Sequence, residues 1–76
     1  MSIKAYKKLR ELLVAARRDA GLTQVELSLR LKRPQSFVSK YERGERRLDV
    51  IEFGQVARAL GIDPARVLGK LYRETA

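Results

Sequence analysis

The stretch that most constrains this chain is residues 22–44, which read as two short helices joined by a turn that proline breaks. Thr23 is placed as an N-cap, because its hydroxyl can accept an orphan amide of the first helical turn. Glu26 stands three residues later and completes a capping box. Leu22 before the cap and Leu27 after it are spaced as a hydrophobic staple, which sets the angle at which the chain enters the helix. Leu27 and Leu31 share one face, with the small Ser28 beside Leu27. Lys32-Arg33-Pro34 ends this helix, since proline has no amide donor and disfavours helical geometry at Arg33. A second helix follows with Val38 and Tyr41 turned inward, and Gly44 stands where a left-handed C-cap is wanted.

The outward face of that second helix carries Gln35, Ser36, Ser39, Lys40 and Arg43. All can hydrogen-bond and none is acidic. Such a face suits DNA, where base edges mix donors with acceptors and phosphates want cations. An ordinary solvated face mixes both signs of charge, so the DNA reading outweighs it. The net charge is +8, from 17 Lys and Arg against 9 Asp and Glu. Residues 30–47 hold seven basic and two acidic side chains, so more than half of the excess lies on the proposed reading helix and its flanks. A cation patch of this kind releases counterions from a polyanion. An anionic membrane is the competing target, but no helix keeps a basic face opposite a bulky apolar one once the core is built. No apolar run approaches the roughly 18 residues of a membrane span.

The absence of Cys and His removes zinc and iron–sulfur sites, thiol nucleophiles and histidine bases, so no metal or cofactor is expected. Without disulfides, and with Lys and Arg recurring through the N-terminus where a signal core would lie, a cytoplasmic location is expected. Ser36 and Lys40 are one turn apart and imitate a Ser–Lys dyad, but nothing supplies an oxyanion hole or a substrate cleft. The carboxylates read better as caps and pairs than as catalytic groups. No enzyme and no small-molecule ligand are expected.

A chain of 76 residues is one domain, and one this small buries only about 60% of its unfolded surface, so self-association would help it. Residues 1–5 read as a loose lead-in. A first helix is expected over 5–19, with Tyr6, Leu9, Leu13, Ala16 and Ala20 at helical spacing, Leu12 alongside, and Gly21 as its stop. Arg46 and Arg47 follow directly on the reading helix and are expected at the DNA backbone. Asp49 and Glu52 cap a fourth helix with an apolar stripe of Val50, Ile51, Phe53, Val56, Ala57 and Leu60. Gly54 within it is read as a site of close helix approach, across a dimer, and Gly61 ends it. Asp63-Pro64 opens a fifth helix as cap and first position. Its apolar Val67, Leu68, Leu71 and Tyr72 exceed the needs of a small core, and they read either as packing against the first helix or as a two-fold dimer contact. The fold class is all-α, a compact five-helix bundle.

Two segments carry a family resemblance. Leu22-Thr23-Gln24-x-Glu26-Leu27 and Gln35-Ser36-x-Val38-Ser39-x-x-Glu42-x-Gly44 resemble the helix-turn-helix of the phage repressor and Cro (XRE-like) family. The likeness spans 9–64, with the helix-turn-helix at 23–43 and residues 65–76 as a C-terminal helix and tail. It implies a lambda-repressor-like bundle in which Arg17 pairs with Glu42. It also implies that Gln24 holds a phosphate and buttresses Gln35, the first glutamine of the reading helix. Gln35, Ser36 and Lys40 would meet base edges, with Ser39 close by. Thr23, Gln24, Arg33, Arg43, Arg46 and Arg47 would hold the backbone, and Phe37 would either touch a thymine methyl or sugar or be buried. The implied partners are double-stranded DNA and a second copy of the chain, bound at a palindromic operator as a repressor. The alternative is an antitoxin or other protein-interaction module that holds a partner protein with its C-terminal apolar residues.

Three positions depart from the family pattern. Lys32 stands where glycine is usual, which calls for positive φ at some strain. Arg33 replaces a small apolar residue and is expected to point at phosphate. Pro34 replaces the usual Ser or Thr cap and suits the first helical position.

Overall fold

The computed structural model describes residues 3–75, and within them five helices follow one another: α1 (Ile3–Asp19), α2 (Gln24–Leu31), α3 (Gln35–Arg43), α4 (Val50–Leu60) and α5 (Pro64–Thr75). Of the lead-in expected over 1–5, residues 1 and 2 lie outside the described residues. From Ile3 onward that lead-in is helix, a correction with a simple cause: nothing between Ile3 and Tyr6 breaks a helix, and Ala5, a strong helix former, is buried.

Local chemistry sets the helix ends. At α2 the Glu26 amide donates to Thr23 Oγ1 (3.1 Å) and the Thr23 amide donates to Glu26 Oε1 (2.9 Å). At α4 the same exchange links the Glu52 amide to Asp49 Oδ1 (2.7 Å) and the Asp49 amide to Glu52 Oε1 (3.0 Å). The end of α2 is unusual. Lys32 sits in the left-handed region (φ 56°), which lets its own amide and that of Arg33 return to Leu29 O (3.2 Å) and Ser28 O (3.1 Å). A β-carbon there costs about 1 kcal/mol that glycine avoids.

Packing follows from the faces these caps create. α1 lies against α3 and α5, and α2 lies against α3 and α4. Leu13, Leu22, Leu27, Phe37, Val38, Tyr41, Phe53, Val56 and Leu60 form the core between them. Phe37 meets Tyr41 edge to face, with ring centroids 5.7 Å apart. The Tyr41 hydroxyl is buried without a hydrogen-bond partner among the described residues, and burial pushes its ionisation well upward, so the phenol stays protonated.

Two expectations about apolar faces need correction. Val50 and Ile51 are 74% and 67% exposed. They fall in the first turn of α4, where Glu52 takes the buried place, and the inward arc begins only at Phe53. Leu71, expected at a dimer contact, is 1% exposed and belongs to the interior of the single chain. Val67 and Leu68 are half-buried against the core, and of the four α5 residues only Tyr72 stays exposed. Packing of α5 on α1 uses up that arc, and Lys8 Nζ seals its far end on Glu74 Oε1 (3.2 Å).

Lys32→Gly is expected to raise the stability of the chain by about 0.5–1 kcal/mol, as relief of left-handed strain offsets glycine's entropic cost. Urea denaturation checks this, with a higher midpoint and an unchanged slope.

Candidate nucleic-acid interface

α3 is aimed by one carboxylate. Glu42, on its last turn, receives Arg17 Nε at Oε2 (2.7 Å) and Arg17 Nη2 at Oε1 (3.1 Å). Arg17 also donates through Nη1 to Leu22 O (2.8 Å), so the same guanidinium ties the α1–α2 connection. The hydrogen bond to Glu42 is the main reason that the ionisation of Arg17 is pushed above its ordinary value. Gln24 Nε2 donates to Glu42 Oε1 (2.8 Å). Gln24 Nε2 thus spends one of its two hydrogens on the carboxylate, and in the free chain the expected buttress on Gln35 is not formed. The reason is proximity: the start of α2 lies beside the end of α3, not its beginning.

Held in this way, α3 buries Phe37, Val38 and Tyr41 and leaves Gln35, Ser36, Lys40 and Arg43 exposed, with Ser39 half-buried between them. Ser39 Oγ donates to Ser36 O (3.3 Å), so its hydroxyl is held close to the helix. Pro34 is not the first helical residue, as expected, but the N-cap, with φ −60° and ψ 150°. Its ring-fixed φ is compatible with either position, and the extended ψ places it before the helix. Gln35 thus opens α3.

Of the two readings left open for Phe37, the structure has burial, so its expected backbone contact is corrected. It is 7% exposed and does not reach outward to a thymine methyl or a sugar. The Arg33 and Arg46 guanidinium carbons stand over its ring, 4.5 and 4.8 Å from the centroid. Both arginines meet Glu52. Arg46 binds it bidentately, Nη1 to Oε1 at 3.0 Å and Nη2 to Oε2 at 2.5 Å, while Arg33 Nη1 lies 3.5 Å from Oε2. The bonds from Arg46, followed by the Asp49 amide, hold the Glu52 carboxyl down at about 2. Arg33 and Arg46 are therefore half-buried and oriented, not free-swinging phosphate hands. Arg43 pairs with Glu45, and exposed Arg47 stacks over Tyr6 of α1 at 4.1 Å. Thr23 is exposed, with its hydroxyl engaged in the cap.

Glu52 was legible in the sequence only as a cap. Its second role depends on Arg33, which comes from another helix–turn boundary, and no spacing signals that meeting. Among the described residues, no helix is long and apolar enough to cross a membrane, and no cluster of acidic side chains could hold a metal.

The sequence family described as helix-turn-helix matches residues 13–67. Among solved structures, an XRE-family like protein from Pseudomonas syringae pv. tomato str. DC3000 is 55% identical, with a TM-score of 0.92 over 96% of this chain and 89% of its own. The clp gene regulator ClgR from C. glutamicum is 28% identical, with a TM-score of 0.81 over 95% and 94%. The restriction-modification controller protein C.AhdI from Aeromonas hydrophila is 29% identical, with a TM-score of 0.75 over 82% and 94%. No curated protein matches at a significant level.

The depressed Glu52 carboxyl makes a pH prediction. A lowered native pKa stabilises the fold fully above the ordinary value of 4.5, and that contribution drains away as pH falls toward about 2. Glu52→Gln is expected to lower the melting temperature at pH 7 and to flatten its decline between pH 4.5 and 2. Thermal melts followed by circular dichroism across that range check both.

Proposed function

This chain belongs to the XRE-type helix-turn-helix family, and on that footing we propose that it is a repressor that reads a palindromic operator as a homodimer, with α3 in the major groove. The family and its regulator neighbours make it a DNA-binding regulator of transcription rather than an enzyme. The observation that carries the finer reading is the acid-free outward face of α3, exposed while Glu42 clamps the helix from behind. Gln35, Ser36 and Lys40 meet base edges with Ser39 beside them: glutamine can pair bidentately with adenine, and lysine can donate to guanine. Thr23, Arg43 and Arg47 hold phosphates, together with Gln24 through the N–H that Glu42 leaves spare and with the donors of Arg33 and Arg46 that Glu52 leaves spare. Repression follows from occupying a promoter, in the cytoplasm.

The homodimer rests on a different surface from α5. Val50 and Ile51 project from α4 beside Ile62 and Pro64, around a shallow cleft that Gly54 floors. A β-carbon added at Gly54 would meet nothing within 4 Å in its own chain, so this is where a second copy can approach closely. An operator read by such a dimer has half-sites about 34 Å apart, one turn of the duplex. The alternative of a partner protein held by α5 is weakened, because Leu71 is buried and Val67 and Leu68 are half-covered.

Lys40→Ala is expected to cost on the order of 1–3 kcal/mol at the operator and little on random DNA, whereas Arg47→Ala weakens both alike. Gel shifts on a duplex selected from a random pool, set beside scrambled DNA, measure the difference; equal losses from the two variants would sink the assignment. Ile51→Asp is expected to leave the melting of the chain nearly unchanged and to shift it to monomer in sedimentation equilibrium.

A further inference from the structure

Between the N-terminal half of α1 and the loop leaving α3 lies a cleft of about 270 Å³. Arg10, Arg43, Arg46 and Arg47 line it together with Tyr6 and Tyr41, and no carboxylate does. Two of the four cations are answered elsewhere, Arg43 by Glu45 and Arg46 by Glu52. Arg10 and Arg47 form no ion pair among the described residues.

Both are nevertheless held in place. The Arg10 guanidinium packs on Gly44, where an added β-carbon would fall 2.8 Å from Cζ and push the guanidinium aside. The carboxyl end of α3 offers it about half a charge, too little to balance two guanidiniums. Arg47 is backed by the Tyr6 ring. Tyr41, whose buried hydroxyl has no acceptor among the described residues, is also a lining residue of the cleft. Pre-oriented forks with donors to spare, converging from two separate elements, suit a phosphate group.

We propose that this cleft is a phosphate site gripped by Arg10 and Arg47, and that its occupant is a backbone phosphate of the duplex flanking α3. The assignment to DNA rests on the proposed function above. It extends the interface from the helix-turn-helix to α1. The cleft opens on the loop that carries the other backbone contacts, so a duplex presented to α3 brings its phosphates to it. The same chemistry would accept a free phosphate, and the test separates the two sources.

The test uses the full chain with Arg10→Gln, and with Arg10→Lys as the variant that keeps the charge. Binding to operator and to scrambled duplex is followed across a salt series, and inorganic phosphate is titrated without DNA while the Gly44 and Tyr41 amide resonances are watched. The expected result for Arg10→Gln is a slope of log K against log salt shallower by about 0.9, with an unchanged operator-to-scrambled ratio. Arg10→Lys restores the slope. An unchanged slope, with saturable phosphate shifts in the parent that Arg10→Gln abolishes, overturns the DNA assignment in favour of a free phosphate. An unchanged slope with no phosphate response overturns the site. Lys40→Ala on the same duplexes reports on the reading helix separately, because it changes the ratio whatever Arg10 does. Should Arg10→Gln fail to fold, Tyr6→Leu with Arg47→Gln removes the other half of the grip and is expected to shift the slope equally.

Discussion

The orientation of the reading helix depends on the Glu42 carboxylate. It lies at the junction of three helices and accepts from Arg17 of α1 and Gln24 of α2 while belonging to α3. Its side chain is only 6% exposed, so the pair with Arg17 is a nearly buried one. Such a pair adds little net stability, because desolvating two charges offsets most of their attraction. What it does supply is geometry. A bidentate fork has one good arrangement, so α3 cannot rotate about its axis without leaving a buried charge alone.

Glu52 does the corresponding work at the other end of the motif. It completes the cap of α4 and gathers Arg33 and Arg46 over the Phe37 ring. The turn before α3 and the loop after it are thereby tied to one carboxylate. In a chain of net charge +8, two of the nine acids, Glu42 and Glu52, are thus spent inside as organisers, and the surplus cations remain at the surface. That division lets a strongly basic protein stay folded while offering positive charge to a polyanion.

Much of this could be read along the chain. The capping boxes at Thr23 and Asp49, the glycine stops and the inward Val38 and Tyr41 follow from spacings of three and four residues, and the structure has them where those spacings put them. The positive φ at Lys32 was legible through family resemblance, which places glycine there. The Arg17–Glu42 pair was legible only through family resemblance, since 25 residues separate its members. The sequence leaves burial and outward contact both open for Phe37 and Leu71 and wrongly expects Val50 and Ile51 on the buried stripe, for one shared reason. Apolar character says that a side chain prefers burial, but whether it finds cover depends on which neighbour arrives, and that is a property of the assembled bundle.

Local sequence therefore determined where the helices stop, how α2 and α4 are capped and which side of α3 is polar, because caps, turns and periodicity act over a few residues. Tertiary structure alone decided which arginines are tied down by carboxylates and which remain free, and whether the apolar arc of α5 faces inward. Those outcomes are distances between residues far apart in the chain, and only the packing of helix on helix sets them.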